Sequence, residues 1–337
     1  MKEYLVCFKP LEAYFFGNEK IFGFSKGEGN RYYIKSEYLP SQSTILGTIR
    51  YMLLPVKKAD WKYSEDEARE NRITVGENGF SPENRGSDYG KIEKISPVFL
   101  VGTEGVLVHT PYNHTEGNGE YTPFSEFGKV YTSEGKEKYF TEQYNSKSGI
   151  THSYMQLSDG KIVSQSDIFE KNVRVGINRR EKKDGFFKKE YKVLSDGYCF
   201  AVYLALDDDI SPENGIVHMG QGKSAFSVTF VEQKNNLEEA IRKYIPEDVV
   251  YCMGDVFTRS DIYSDTFFAV TETKTYRHFR QQGNRVEKGG VLYNIISAGS
   301  VFIPCNKEEF VQNMSDNAFG KVGYNLFVYH KGVQNEN

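Results

Sequence analysis

Short apolar runs separated by polar, glycine-bearing turns fill most of this chain, and one segment departs from that pattern. Ile45, Leu46, Ile49, Met52 and Leu53 fall on one face of a 3.6-residue period, which predicts a helix over 43–54. Ser41 or Ser43 can cap its start, and Pro55 stops it. Elsewhere the period is that of strands. A first strand is expected at 4–8, followed by an irregular stretch to residue 40. Residues 60–90 are polar, with a short helix near 64–70. A strand pair is expected at 98–101 and 106–109, and 110–165 reads as a polar insertion or loop. Strands follow at 173–177 and 186–191. The run 198–206 is apolar at nearly every position, as in a strand buried on both faces. Another pair, 217–219 and 226–230, flanks a glycine-rich turn. Beyond residue 233 come a short helix near 237–244, strands at 249–253, 267–271, 291–296 and 299–303, a helix at 308–314 and a last strand at 324–329.

Strands outnumber helices and no βαβ series repeats, which predicts an α+β fold with antiparallel sheets. The length suits two domains, divided here into 1–232, with insertions at about 57–95 and 110–165, and 233–337. No apolar run is long enough to span a bilayer, and the apolar run at 4–8 is too short for an export signal, so a cytoplasmic protein is expected. Cys7, Cys199, Cys252 and Cys305 lie in or beside apolar runs without a CxxC pair and read as reduced core residues.

Net charge is −4, which argues weakly against a nucleic-acid binder, but the charge is segregated. Residues 171–192 hold nine Lys/Arg against three Asp/Glu, and 274–288 hold five against one. Such segregation can make a basic groove on an acidic body, or two solvated hairpin faces. Arg174, Asn178, Arg179, Arg180, Lys182 and Lys183 form a basic hairpin turn suited to a phosphate backbone, with Phe186 and Phe187 able to stack on a base or pack beneath the hairpin. Arg277, His278, Phe279 and Arg280 surround an aromatic with cations, as single-stranded RNA recognition requires, or form a solvated edge strand. The turn Gly220-Gln221-Gly222-Lys223-Ser224 imitates the end of a P-loop, but Val217 stands where that motif needs glycine, and a strand follows instead of a helix. It reads as bare backbone open to a phosphate or ribose, with Lys223 and Ser224 as extra donors, or as a plain tight turn. Ser41, Ser43 and Thr44 at the helix start can receive a phosphate, with Arg50 two turns along on the exposed side, or simply cap the helix.

No arrangement demands catalysis. The six histidines offer no three-ligand metal spacing, and Asp207, Asp208 and Asp209 end a strand as a solvated turn. No catalytic residue, metal or cofactor is expected.

Several segments together resemble the RAMP superfamily of CRISPR ribonucleoproteins, most of all the third subunit of the type III-B (Cmr) complex. Phe8-Lys9-Pro10-Leu11-Glu12-Ala13-Tyr14-Phe15-Phe16 is similar to that family's first strand and its PLD-x-x-F-F extension. The stretch from Pro40 to Arg50 resembles its P-S-x-S-T-x-x-G-x-x-R helix. Residues 173–187 resemble its R-x-G-I … G-x-[LF]-[YF] hairpin, and Ser297-Ala298-Gly299-Ser300-Val301-Phe302 its x-A-G-S-V-[FY] strand entry. The family's glycine-rich loop often reads Gly-Gly-Glu-x-[RS]; the glutamate is absent here, so no acidic role is transferred. The resemblance implies two ferredoxin-like (RRM-like) folds, the first using strands near 4–9, 171–178, 198–206 and 225–231. It implies a non-catalytic subunit that binds the 5′ handle of the guide RNA. The subunit would sit between the large polymerase-like subunit and the backbone subunits, and meet target RNA only indirectly. In such subunits a hairpin can intrude between guide and target bases, which here points to the 179–189 turn. The alternatives are a metal-independent guide-processing endoribonuclease using His218 or Tyr198, and a carbohydrate-binding or structural β-rich protein.

Overall fold

The computed structural model describes residues 1–17, 33–77, 79–83, 88–115, 119–145, 147, 149–177, 186–258, 261–277, 279–282, 285–288 and 291–331. The elements run β1 (Lys2–Pro10), β2 (Tyr33–Lys35), α1 (Gln42–Leu53), α2 (Glu65–Val75), β3 (Ile92–Ile95), β4 (Phe99–Gly102), β5 (Gly105–His109), β6 (Gly128–Tyr131), β7 (Glu137–Phe140), β8 (Ser153–Gln156), β9 (Ile162–Ser164) and α3 (Gln165–Ile168). Then follow β10 (Phe169–Ile177), β11 (Phe186–Leu194), β12 (Cys199–Leu206), β13 (Gly215–Met219), β14 (Ser224–Glu232), α4 (Leu237–Arg242), β15 (Val250–Cys252) and β16 (Thr266–Val270). The last are β17 (Thr273–Tyr276), β18 (Phe279–Gln282), β19 (Arg285–Lys288), β20 (Tyr293–Ile296), β21 (Val301–Pro304), α5 (Lys307–Met314), α6 (Asn317–Lys321) and β22 (Phe327–Val328).

Strand β12 is the centre of the architecture, because its continuous apolar sequence lets it be covered on both faces. It pairs antiparallel with β1, β3 and β4 in a main sheet of order β13-β14-β1-β12-β4-β5-β8-β9. Phe200, Val202, Leu204 and Leu206 point to one face, where Ile45, Leu46, Ile49 and Leu53 of α1 meet Tyr4, Val6 and Phe8. Ala201 and Tyr203 point to the other. There they meet Tyr251, Val270, Val301 and Ile303 of a second antiparallel sheet, order β16-β21-β15-β22, together with Leu237 and Ile241 of α4. The far face of that second sheet, through Cys252 and Phe302, packs on Phe310 and Met314 of α5. The layers are therefore helix, sheet, sheet, helix, with one core shared by sequence from both sides of residue 233.

The α+β class, the antiparallel sheets and α1 agree with expectation. Ser41 is the N-cap of α1, accepting the Thr44 N–H at 3.3 Å, and the chain turns away at Leu54, just before Pro55. Helix α2 is longer than expected: Ser64 and Glu67 form a reciprocal capping box, and Gly76 at φ 75° ends it. Three expectations change. Strand β10 is not in the main sheet; it pairs with β11, and β11 pairs in parallel with β2, in a separate three-stranded sheet tied to the body by the Tyr14–Lys192 bridge. The polar span 110–165 is no plain loop, since it supplies β6 to β9. Aromatics spaced among polar residues are the reason: Phe124 and Phe127 pack on Phe268, and Tyr139 stacks on Phe267 at 4.8 Å. Cys305, finally, is exposed beyond β21, while Cys252 is buried and Cys7 and Cys199 are half-buried neighbours. Among the described residues, no helix is long and apolar enough to cross a membrane.

Polar ties join the insertion to the C-terminal half, those of Lys138 and His152 among them. The Lys138 ammonium donates to the carbonyls of Tyr263, Ser264 and Thr266 at 2.7, 3.3 and 2.5 Å. Lys138→Met should cost about 1.5–3 kcal/mol, since hydrogen bonds from a charged donor lie in that range; a lowered urea midpoint at unchanged slope would register it. His152 pairs with Glu272 at 3.4 Å, both side chains more than a third exposed. The bond to Glu272 is the first cause holding His152 above its ordinary 6.5, and the same bond holds Glu272 below its ordinary 4.5. The raised histidine contributes stability below 6.5 and loses it as pH rises through its folded value. The lowered carboxylate contributes above 4.5 and loses it as pH falls through its own. The stability difference between wild type and Glu272→Gln should therefore peak between those two values and fade as pH rises through the folded histidine's own value, at only a few tenths of a kcal/mol because solvent screens the pair.

Candidate nucleic-acid interface

The glycine-rich turn lies between β13 and β14, against the chain leaving β1. The Gln221 N–H donates to the Phe15 carbonyl at 3.0 Å, and the Lys223 N–H to the Gly220 carbonyl at 3.2 Å. The buried Ser224 hydroxyl donates to the Ala13 carbonyl at 3.1 Å. These donors, which the sequence offered to a phosphate, are used within the protein. What remains exposed is the Gly222 backbone and the side chains of Gln221 and Lys223. The residue that must be glycine is Gly220: its φ is 77°, and a Cβ there would stand 2.4 Å from the Phe15 carbonyl oxygen. A Cβ at Gly222 would meet Tyr191 at an ordinary 3.6 Å.

Tyr191 is where the turn meets the basic hairpin. In the β10–β11 register Arg174 faces Lys189, one row from Tyr191, so all three share a face. The Arg174 guanidinium lies 4.3 Å from the Tyr191 ring centroid, and the Lys189 ammonium 5.3 Å from that of Phe15. Phe15 and Tyr191 are themselves 5.4 Å apart, edge to face. Cations, aromatic rings and an open glycine backbone thus converge at the foot of the hairpin. Burial lowers the Lys189 amine below its ordinary value. Sequence reasoning found Arg174 and the glycine-rich turn, and Lys189 only as the end of the 179–189 turn, but not Phe15 or Tyr191 as parts of the site. The available signal was the two-residue alternation of β11, which puts Lys189 and Tyr191 on the Arg174 face.

The other expected residues lie elsewhere. Asn178, Arg179, Arg180, Lys182 and Lys183 fall outside the described residues, and of Phe279 and Arg280 only the backbone, at the start of β18, is described. Arg277 directly follows β17 and is half-buried. Ser41 caps α1, and Ser43 and Thr44 lie in its first turn. The Ser41 hydroxyl is 3.1 and 2.9 Å from those of Ser43 and Thr44. Gln42 between them is buried, donating to the Ser96 carbonyl and accepting the Val98 N–H. Arg50, expected on an open face, instead donates through Nε and Nη2 to the carbonyls of Val75 and Gly76 at 2.8 and 2.9 Å, where it ties down the C-terminus of α2.

Among the described residues, no group of three His, Cys, Asp or Glu side chains could hold a metal. His218 stands beside the turn, its Nδ1 2.9 Å from the Lys223 carbonyl oxygen, which orients the ring.

These contacts predict unequal tolerance in the turn. Gly220→Val should cost about 1–3 kcal/mol from backbone conformation alone and unseat the turn from Phe15. Gly222→Ala should stay within about 0.5 kcal/mol of wild type in urea melts.

Comparison with known proteins follows the same line. No curated sequence matches the chain. Solved structures do: a Type III-B Cmr-beta complex bound to cognate target RNA contains a chain similar to this one, at 13% identity and a TM-score of 0.55, with 97% of this chain and 96% of that one covered. A second, of Cmr-beta bound to cognate target RNA and AMPPnP, gives 14% identity and a TM-score of 0.50 over 96% and 95%. At such identity the likeness is one of fold. A family model described as "CRISPR-associated protein (Cas_Cmr3)" matches residues 6–251. The chain belongs to the Cas_Cmr3 family of CRISPR-associated proteins.

Proposed function

We propose that this chain is a non-catalytic subunit of a type III-B CRISPR effector that holds the 5′ handle of the guide RNA and bridges the large polymerase-like subunit to the backbone subunits. It works in the cytoplasm, without cofactor or metal. The observation that carries the reading is the meeting of Arg174, Lys189 and the half-buried Tyr191 with the exposed Gly222 backbone, all seated on the buried Phe15 ring. Handle recognition asks for cations on phosphates and flat faces for unpaired bases, with no tuned acid or base. Membership of the Cas_Cmr3 family and the fold shared with a chain of an RNA-bound Cmr-beta assembly support it. The two ferredoxin-like halves, 1–232 and 233–337, belong to the same reading. Strands β1, β12 and β14 under α1 support the first, and the sheet β16-β21-β15-β22 under α5 the second.

His218 beside the turn is the group that a guide-processing ribonuclease would use as its base. Incubation of the pure protein with repeat RNA in EDTA separates the readings: RNA recovered intact and bound supports the grip, and cleavage at one position the nuclease.

Protein co-expressed with a repeat array should retain small RNAs sharing one 5′ sequence; a random collection of 5′ ends would reject handle binding. Replacing Arg179, Arg180, Lys182 and Lys183 together with Ala should weaken binding and flatten its salt dependence by about 0.7 in log–log slope for each phosphate no longer neutralised. An unchanged slope would remove the hairpin turn from the interface. Binding insensitive to salt in the wild type would favour a carbohydrate-binding or structural role.

A further inference from the structure

The three-stranded sheet β10-β11-β2 has a second face, turned away from Gly222. Register puts Val175, Lys188 and Tyr33 in one row across its three strands, and Val173, Glu190 and Lys35 in the next. Val175 is 59% exposed, Val173 45% and Tyr33 41%. The Lys188 and Lys35 ammonium groups stand 5.2 and 5.6 Å from the Tyr33 ring centroid. Lys171, also exposed, lies one row further along β10.

Beneath this row is an ion pair that stability alone does not call for. Glu190 and Lys192 are 3% and 1% exposed and bond at 2.6 Å. The Lys192 ammonium also lies 3.9 Å from the Tyr38 ring centroid. Desolvating two charges usually cancels what their attraction gains. The other Glu190 oxygen, however, accepts the Tyr33 phenol. Burial alone would raise the Glu190 carboxyl, yet bonds from Lys192 and Tyr33 hold it below its usual range, while the bond to Glu190 pushes the Tyr33 phenol up to about 12. The buried pair thus fixes an exposed aromatic ring in place, and a ring fixed beforehand loses little freedom when something stacks on it.

We propose that Tyr33, Val175, Lys188 and Lys35 form a second seat for single-stranded RNA, where one unpaired base lies on Tyr33 and Val175 and its flanking phosphates lie on the two lysines. The proposal rests on the RNA-holding function above and adds a seat on the opposite face of the same sheet. Charge selects the occupant. The carboxylate facing this row, Glu190, is already neutralised by Lys192, so Lys35, Lys171 and Lys188 leave the face positive. Lysine is depleted in the cores of protein–protein interfaces, whereas a polyanion with flat, apolar bases matches both the lysines and the exposed ring.

The test measures binding of the whole chain to a 5′-labelled single-stranded RNA oligonucleotide of repeat sequence, by fluorescence anisotropy over a series of salt concentrations. Tyr33→Ala should bind about five- to a hundredfold more weakly with an unchanged salt slope, because it loses stacking and no charge. The double variant Lys35→Ala and Lys188→Ala should lose about 1.4 from the slope. Tyr33→Phe keeps the ring but not its tie to Glu190, and should fall between wild type and Tyr33→Ala. Arg174→Ala, on the opposite face, reports the first seat. If Arg174→Ala weakens binding while the Tyr33 and lysine variants do not, the second seat is wrong and the RNA function stands. If none of them weakens binding, both fall. Unchanged RNA affinity with loss of a neighbouring subunit from the assembled effector would make this face a protein interface and overturn the proposal. Should Tyr33→Ala fail to fold by its urea midpoint, the lysine variant alone decides.

Discussion

The molecule depends on burial of one strand from both sides. Strand β12 carries apolar residues at successive positions, so its odd and even side chains each require a cover. Helix α1 covers one face and the second sheet covers the other. At about 25 cal/mol per Å² of apolar surface withdrawn from water, this arrangement is the main reason the halves associate. Everything with a functional reading is attached to the rim of that slab: the glycine-rich turn at the end of β13–β14, and the small hairpin sheet fastened through Tyr14 and Lys192.

The rim is built from polar side chains whose bonding capacity is mostly spent inside the protein. Ser224, Gln42 and Arg50 resemble ligand-binding residues in isolation, yet each satisfies a carbonyl that would otherwise be left without a donor. What stays open to solvent there is the Gly222 backbone, Gln221, several cations and the partly exposed Tyr191 and Tyr33 rings. A surface that keeps its hydrogen bonds internal and presents charge and rings outward suits a phosphate chain whose bases are unstacked.

The sequence made some of this legible and concealed the rest for identifiable reasons. The α1 stripe, the two-sided burial of β12 and the β13–β14 turn could be read because each is a local period or punctuation. The span 110–165 could not, because Phe124, Phe127 and Tyr139 are anchors separated by polar residues, and only the pairing with Phe267 and Phe268 reveals them. The sheet of β10 is not legible because its alternation fits any sheet, and β2, which pairs with β11 beside it, is three residues long within an irregular stretch. Of the two glycines in the turn, Gly222 looked the more important by its place in a P-loop-like string. The need for glycine lies at Gly220, set by a carbonyl some two hundred positions away in sequence, which no local motif encodes. For the site, Arg174 and the turn were readable as charge and glycine, whereas Tyr191, Phe15 and Tyr33 emerge only when register brings strands side by side.

The core shared across residue 233 has a mechanical consequence. Ala201 and Tyr203 of the main sheet are packed among Tyr251, Val270 and Val301 of the second, all of them buried in one apolar cluster. The chain is therefore built as a fixed gauge. If RNA is held as proposed, its contacts would stand at spacings set by this core, so a strand one nucleotide too long or too short would be felt as misregistration.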